Sequence, residues 1–242
     1  MAVSDIKPEP KKQRRSYDGF FLAAIVVAGA IVVCLRLFVF QPFSIPSSSM
    51  APTLVPGDYV LVSKISYGYG PYSLTLVTAG LSRRIPDGWL PQRGDVVVFR
   101  APGAGAVDFI KRIVGLPGDR IQLIQNVLRI NGVAVPRERI GDAVEGATGQ
   151  RATRYRESLP NGISYTTFSL NDNGPFATTP EYTVPPGHYF TLGDNRDNSV
   201  DSRMPKQVGY VPAENLIGRA ELIIFSTGDG GVRWDRLFQA IH

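Results

Sequence analysis

Apolar positions follow two regimes along the chain. From Phe20 to Phe40 they run almost without a break, "FFLAAIVVAGAIVVCLRLFVF", with Arg36 as the one charged residue. As a helix, about 21 residues reach roughly 31 Å, the hydrocarbon thickness of a bilayer, so the run predicts a single membrane-spanning helix. Arg36 lies near one end, where a long cationic side chain can snorkel to the interface. Beyond Ser49 the apolar runs shorten to "DYVLVSK", "GDVVVFRAP", "DFIKRIVGLPGDRIQLI", "VLRINGVAV", "GHYFTLGD" and "GRAELIIF". Each is rich in Val, Ile, Tyr or Phe and bounded by Gly, Pro, Asn or Asp, which predicts strands joined by turns. "VLRINGVAV" reads as a hairpin turning at Asn131-Gly132. Between about Ile140 and Thr183 the pattern weakens into Gly, Asn, Thr and Arg, which predicts a partly stranded insert.

The fold class is therefore mainly β: one N-terminal transmembrane helix followed by an all-β domain with a β-containing insert. The expected division is a basic tail over 1–18, an anchor over 19–41, a β domain over 42–123 and 184–242, and the insert over 124–183. No second run is long enough to span a membrane.

Charge refines this picture. The chain has 242 residues and a formal charge of +5, part of it from a tail where Lys7, Lys11, Lys12, Arg14 and Arg15 outnumber the acids. Such a tail before an apolar span is retained in the cytoplasm, which puts everything after Phe40 outside, as in a single-pass protein of the cytoplasmic (inner) membrane. The following "FQPFSIP" is too bulky for a small-x-small cleavage site, so the span reads as a permanent anchor. The rest of the chain has no basic cluster suited to tracking phosphates, and nucleic acid is not an expected partner. Cys34 is the single cysteine and lies within the span; the histidines are His188 and His242. Neither a disulfide nor a zinc site is expected from that supply, and no cofactor or metal is implied.

Candidate chemistry begins at "IPSSSMAPTLVPGDYVLVSK", Ile45 to Lys64. Even fully extended, the nine steps from Phe40 to Ser49 reach no more than about 30 Å, so the three serines sit close to the membrane surface. If Ser47-Ser48-Ser49 is extended, Ser47 and Ser49 point the same way, and one could attack while the other donates to an oxyanion. With histidine scarce, lysine is the other candidate base. At its ordinary pKa a lysine is neutral about four times in ten thousand at pH 7; burial that lowers the value to roughly 7 to 8 makes a tenth or more neutral. In "DFIKRIVGL", alternation places Lys111 on one face with Phe109 and Ile113, and Arg112 on the other with Ile110 and Val114. Alternation does not say which cation is inward, but arginine stays charged and cannot act as a base.

These stretches, in this order, resemble the bacterial type I signal peptidases, membrane-bound Ser-Lys enzymes. "IPSSSMAPTLVPGDYVLVSK" is similar to the family's nucleophile block, "RGDVVVFRAP" to its next strand, "DFIKRIVGLPGD" to its lysine block and "LGDNRDNSVDSR" to its Gly-Asp-Asn block. The resemblance implies a serine endopeptidase that removes N-terminal signal peptides from exported preproteins after small residues, in an Ala-x-Ala pattern. It implies Ser49 as nucleophile, Lys111 as general base, Ser47 as oxyanion donor beside the Ser49 N–H, and Ser199 as the group that hydrogen-bonds and orients the lysine. Asp194, Asp201 and Arg203 are implied to brace the site. Ile45, Pro46, Met50, Leu54, Phe109 and Ile110 match the positions that line the family's small pockets. Preproteins, the phospholipid membrane and the secretion translocon are the implied partners. The chain departs from many members in showing one span, in lacking paired cysteines and in the longer "MPKQV" after Arg203. The alternative readings are a non-catalytic anchored β domain that binds export or envelope partners, and a self-cleaving Ser-Lys regulator, which would need a DNA-binding N-terminus where this chain has its anchor. His188, after a Pro-Gly turn, reads as structural. Trp234 and Phe238, with Arg233 and Arg236, fit either the bilayer interface or a solvent-side amphipathic tail.

Overall fold

The computed structural model describes residues 15–73, 89–146 and 148–242. The basic tail up to Arg14 lies outside the described residues. Helix α1 (Arg15–Cys34) continues through a wider π turn, Leu35–Val39, and runs directly into strand β1 (Phe40–Ser44). The stretch Gly19–Val39 has a mean hydropathy of 2.7, and its most apolar window is nowhere buried inside the protein. A helix apolar on every side has no core-facing stripe and is suited to lipid. Among the described residues it is the one helix long and apolar enough to cross a membrane.

The described residues after it include three short 3-10 turns but form mainly strands. They are β2 (Asp58–Ser63), β3 (Val96–Arg100), β4 (Asp108–Gly115), β5 (Arg120–Ile124), β6 (Val127–Ile130), β7 (Val133–Ala134), β8 (Arg137–Val144), β9 (Arg151–Ser158), β10 (Ser164–Ser169), β11 (Tyr182–Thr183), β12 (His188–Leu192), β13 (Val211–Pro212), β14 (Leu216–Gly228) and β15 (Gly231–Val232). The main sheet runs β1-β2-β14-β3-β4-β12-β13, with β15 paired to the end of β14. A second sheet runs β10-β9-β8 and a third β11-β5-β6-β7. Asn131 and Gly132 both have positive φ and join β6 to β7, the geometry a two-residue hairpin needs to match strand twist.

The centre of the main sheet is covered on both faces. In β3, Val96 and Val98 enter a core cluster with Ile45, Met50, Leu54, Val60 and Ile217, while Val97 and Phe99 enter another with Ile113, Tyr189 and Leu216. Such a strand reads as a continuous apolar run, because neither face is left for water. β4 pairs with β3 in register, Phe109 opposite Phe99 and Lys111 opposite Val97. Lys111 and Arg112 are consequently both buried, at 2% and 0% exposure.

A third cluster joins Val114 of β4 and Phe190 and Leu192 of β12 to Ile121, Leu123, Leu128, Ile130, Leu159 and Tyr165. The segment 124–183 thus shares its core with the strands that precede and follow it. Its weak pattern has a simple cause. β8 has no buried residue and β9 buries only Ala152 and Glu157, so these strands present mostly polar side chains to water.

Candidate active site

Ser49 sits in a turn that follows β1 instead of an extended run. Ala51 N donates to Ser48 O at 2.9 Å and Leu54 N to Met50 O at 2.9 Å, which curls the chain behind the serines. The turn still brings the hydroxyls of Ser47 and Ser49 within 3.3 Å of each other. Ser48 turns elsewhere: its hydroxyl accepts from Asn198 Nδ2 at 2.9 Å and its carbonyl from Asn195 Nδ2 at 3.2 Å. The loop after β12 therefore holds the serine turn from one side.

Lys111 reaches the turn from β4. Its Nζ donates to Ser49 Oγ at 2.7 Å and to the Ile110 carbonyl at 2.7 Å. The Phe109 ring lies 5.5 Å from the same nitrogen. Burial pushes the Lys111 pKa down to about 8, and the nearby charges of Asp201 and Asp194 oppose the shift without reversing it. No carboxylate stands within ion-pair distance of it among the described residues, so burial is the stronger influence.

Arg112 is treated differently. Its guanidinium forks onto Asp194, Nε to Oδ1 at 2.8 Å and Nη2 to Oδ2 at 2.7 Å, donates to Gly94 O at 2.8 Å and stacks 4.1 Å over the Tyr165 ring. Burial disfavours its charge, but the Asp194 carboxylate and its hydrogen bonds outweigh that and raise the Arg112 pKa. Thr53, in the turn after Ser49, donates to the same Asp194 at 2.6 Å. Asp194 thereby ties the lysine strand to the serine turn.

Asp201 accepts from the Gly193 N–H at 3.0 Å and pairs with Arg203, whose Nη2 also donates to Arg196 O at 2.6 Å. Burial would raise the Asp201 pKa, yet the Arg203 charge holds it below the ordinary carboxylate range. Gly193 is needed for close approach: a methyl there would stand 2.2 Å from Ser199 Oγ and 2.5 Å from the Ser49 carbonyl oxygen. Ser199 departs from expectation. It lines the same cavity as Lys111, but its Oγ, which helps hold down Asp201, is in hydrogen-bonding geometry with neither Asp201 nor Lys111. Two of the lysine's three donors are already taken by Ser49 and Ile110.

A cavity of about 570 Å³ opens over the pair, lined among others by Ile45, Pro46, Ser47, Phe109, Ile110 and Phe176. Met50 and Leu54 do not line it. Both are 0% exposed and packed in the core with Val60 and Val98, because the turn after Ser49 rotates its apolar side chains inward.

Several contacts that support the site carried no local signal in the sequence. Arg196, 1% exposed, pairs with Glu157 of β9 at 2.8 and 2.5 Å, and Phe168 of β10 bridges to Asn195 as a parallel strand partner. Asp197 accepts from the backbone of Leu170 at 2.7 Å and Asn171 at 3.1 Å. Glu157 lies in the weakly patterned stretch, and nothing there distinguishes it from the exposed acids around it.

The family described as "Signal peptidase, peptidase S26" matches residues 20–225, which include the anchor, the serine turn, β4 and the loop after β12. The chain belongs to this signal peptidase family. Relatives named Signal peptidase I include that of Rickettsia typhi, 41% identical over 204 residues, covering 81% of this chain and 76% of the relative. That of Rickettsia conorii is 38% identical over 239 residues, covering 94% and 85%. A crystal structure of a signal peptidase I from Enterococcus faecalis is 28% identical, with a TM-score of 0.33, covering 54% of this chain and 96% of that one. Membership makes this protein a hydrolase of the peptidase class, and with the apolar helix it is a membrane-anchored signal peptidase.

Proposed function

We propose that this signal peptidase cleaves the signal peptides of exported preproteins by acyl transfer to Ser49, with Lys111 as general base, on the outer side of the cytoplasmic membrane. One observation carries the reading: the Lys111 nitrogen lies 2.7 Å from Ser49 Oγ, is buried, and has its pKa lowered to about 8. At pH 7 about a tenth of such an amine is neutral, enough for proton transfer at a useful rate.

Neutral Lys111 takes the Ser49 hydroxyl hydrogen as Oγ attacks the scissile carbonyl carbon. The resulting oxyanion accepts from Ser47, whose hydroxyl stands 3.3 Å from Ser49 Oγ, and from the Ser49 N–H. Collapse breaks the C–N bond, and the Lys111 ammonium gives its proton to the departing amine of the mature protein. Lys111 then takes a proton from water, which attacks the acyl ester; the signal peptide leaves as a carboxylate and the hydroxyl of Ser49 is restored. Ser199 lines the cavity, and its hydroxyl, which helps hold down Asp201, is the group that would accept the lysine's third donor. Ile45, Pro46, Phe109 and Ile110 offer walls for small side chains, and a pocket sized for a methyl rejects larger ones by overlap. The basic tail before α1 supports an N-terminus in the cytoplasm, and the secretion translocon is the machine whose products would reach this site.

The test uses the full chain in lipid vesicles with a preprotein. Ser49→Ala and Lys111→Ala should each fold and each lower kcat/KM by at least about ten-thousandfold. Cleavage by either at the wild-type rate refutes the assignment. Retained partner binding with no cleavage by the wild type would favour a non-catalytic binding domain.

A further inference from the structure

An isolated helix leaves its last four carbonyls without partners, and they form the negative end of its dipole. In this protein those of the anchor are taken by a short segment just past β2. Lys64 Nζ donates to Arg36 O at 3.5 Å and Leu37 O at 3.2 Å, the Tyr69 hydroxyl donates to Phe38 O at 2.6 Å, and Lys64 N donates to Val39 O at 2.8 Å. Lys64 is 1% exposed and has no carboxylate in ion-pair distance among the described residues. A buried ammonium needs compensating acceptors, and here the helix end supplies them.

The join between anchor and sheet contains no linker. Val39 closes the π turn, Phe40 opens β1, and Phe40 stands opposite Ser63, the residue before Lys64. The clamp and the β1–β2 ladder thus hold the helix end from both sides. From there β1 rises about 17 Å over its five residues before the serine turn begins. Neither Lys64 nor Tyr69 lines the cavity above Ser49.

Resting on the reading of this chain as a membrane-anchored signal peptidase, we propose that Lys64 and Tyr69 clamp the anchor to the sheet and so fix the height of Ser49 above the bilayer. The clamp makes the enzyme a ruler. A preprotein held in the same bilayer by its own apolar helix presents each successive extended residue about 3.3 Å farther out, so a fixed height selects which bond enters the site. Lys64 and Tyr69 are positioning residues in this scheme: they act on bond selection through the anchor and take no part in the chemistry.

The experiment compares wild type with Lys64→Met/Tyr69→Phe, each full-length in vesicles of phosphatidylethanolamine and phosphatidylglycerol. The substrates are preproteins whose spacer between apolar stretch and Ala-x-Ala is lengthened or shortened one residue at a time. Wild type should show a sharp optimum, and in the variant the preference for the best spacer over one three residues away should fall about tenfold. Hydrolysis of a short soluble peptide in detergent should stay within about twofold, which separates height from chemistry. Tyr69→Phe alone, removing one exposed hydroxyl contact, should show a smaller broadening and covers the case in which the double variant does not fold. Superimposable spacing profiles, or a wild-type profile without an optimum, overturn the ruler. A wild-type enzyme that cuts the soluble peptide but no preprotein refutes the functional reading itself, and the ruler with it.

Discussion

Lys111 and Arg112 are neighbours on β4, both withdrawn from water, yet the carboxylate goes to the arginine. Asp194 forks onto Arg112 with hydrogen bonds of 2.8 and 2.7 Å, while Lys111 has only a hydroxyl and a carbonyl within reach. A carboxylate placed on Lys111 would hold it charged and remove it as a base. Placed on Arg112, which cannot deprotonate, it compensates an unavoidable buried charge. The division of partners across two consecutive residues is what makes proton transfer to Lys111 feasible.

The rate should follow the neutral fraction of Lys111. kcat/KM for a soluble peptide should rise with pH and level off above about 8. At pH 7 it should be about a tenth of the plateau. A pH-rate profile that is flat from roughly pH 6 to 9 would contradict a lysine base.

Folding stability should show the same group from the other side. The folded pKa is about 8 against the ordinary lysine value of 10.5, so between those values the unfolded chain binds more protons and stability rises with pH. Below pH 8 the buried charge is present in the folded state and its full penalty applies; above 10.5 it is gone. The rise should total about 3 kcal/mol, an upper figure for a fully expressed shift. In Lys111→Met, denaturation midpoints across that window should lose this trend.

Gly193→Ala should abolish activity with little room for relief. The added methyl would meet Ser199 Oγ at 2.2 Å and the Ser49 carbonyl oxygen at 2.5 Å, and the latter is backbone of the nucleophile turn. Displacement of about 1 Å at a reacting atom is worth roughly a hundredfold in rate. Single-turnover peptide cleavage should fall by at least that factor, and an unchanged rate would mean that the turn adjusts freely.

Glu157→Ala should destabilise the protein by about 3 to 5 kcal/mol, because it leaves Arg196 buried without its carboxylate. Glu138→Ala is the control: its pair with Arg156 has both side chains more than half exposed, and the effect should stay near 0.5 kcal/mol. Urea midpoints separate the two. Equal effects would show that the insert does not support the loop after β12 through this pair.

The strand layout was readable because each strand carries its own boundary signals. "VVVF" between Gly-Asp and Ala-Pro, and Asn131-Gly132 between two apolar runs, are local statements of local structure. The insert was harder to read because β8 and β9 are largely solvated. An extended serine run would have aimed Ser47 and Ser49 the same way; the run is a turn, and the two hydroxyls still converge. Met50 and Leu54 were expected at the pocket and lie in the core, since which way an apolar residue in a turn faces depends on what packs over it. Ser199 was expected on the lysine and makes no such bond. Asp194 was placed at the site by resemblance, but its role as the tie between Arg112 and Thr53 depends on residues far apart in the chain.

Taken alone, the sequence was enough for the anchor, the all-β class and the Ser-Lys candidates, because hydropathy, alternation and turn residues act over a few positions. It left open which of two adjacent cations faced the nucleophile, and it was silent about Glu157 beneath Arg196 and Lys64 at the helix end. Those were decided by packing. Burial and the assignment of carboxylates to arginines are properties of surfaces brought together from distant parts of the chain, and only the folded protein has such surfaces.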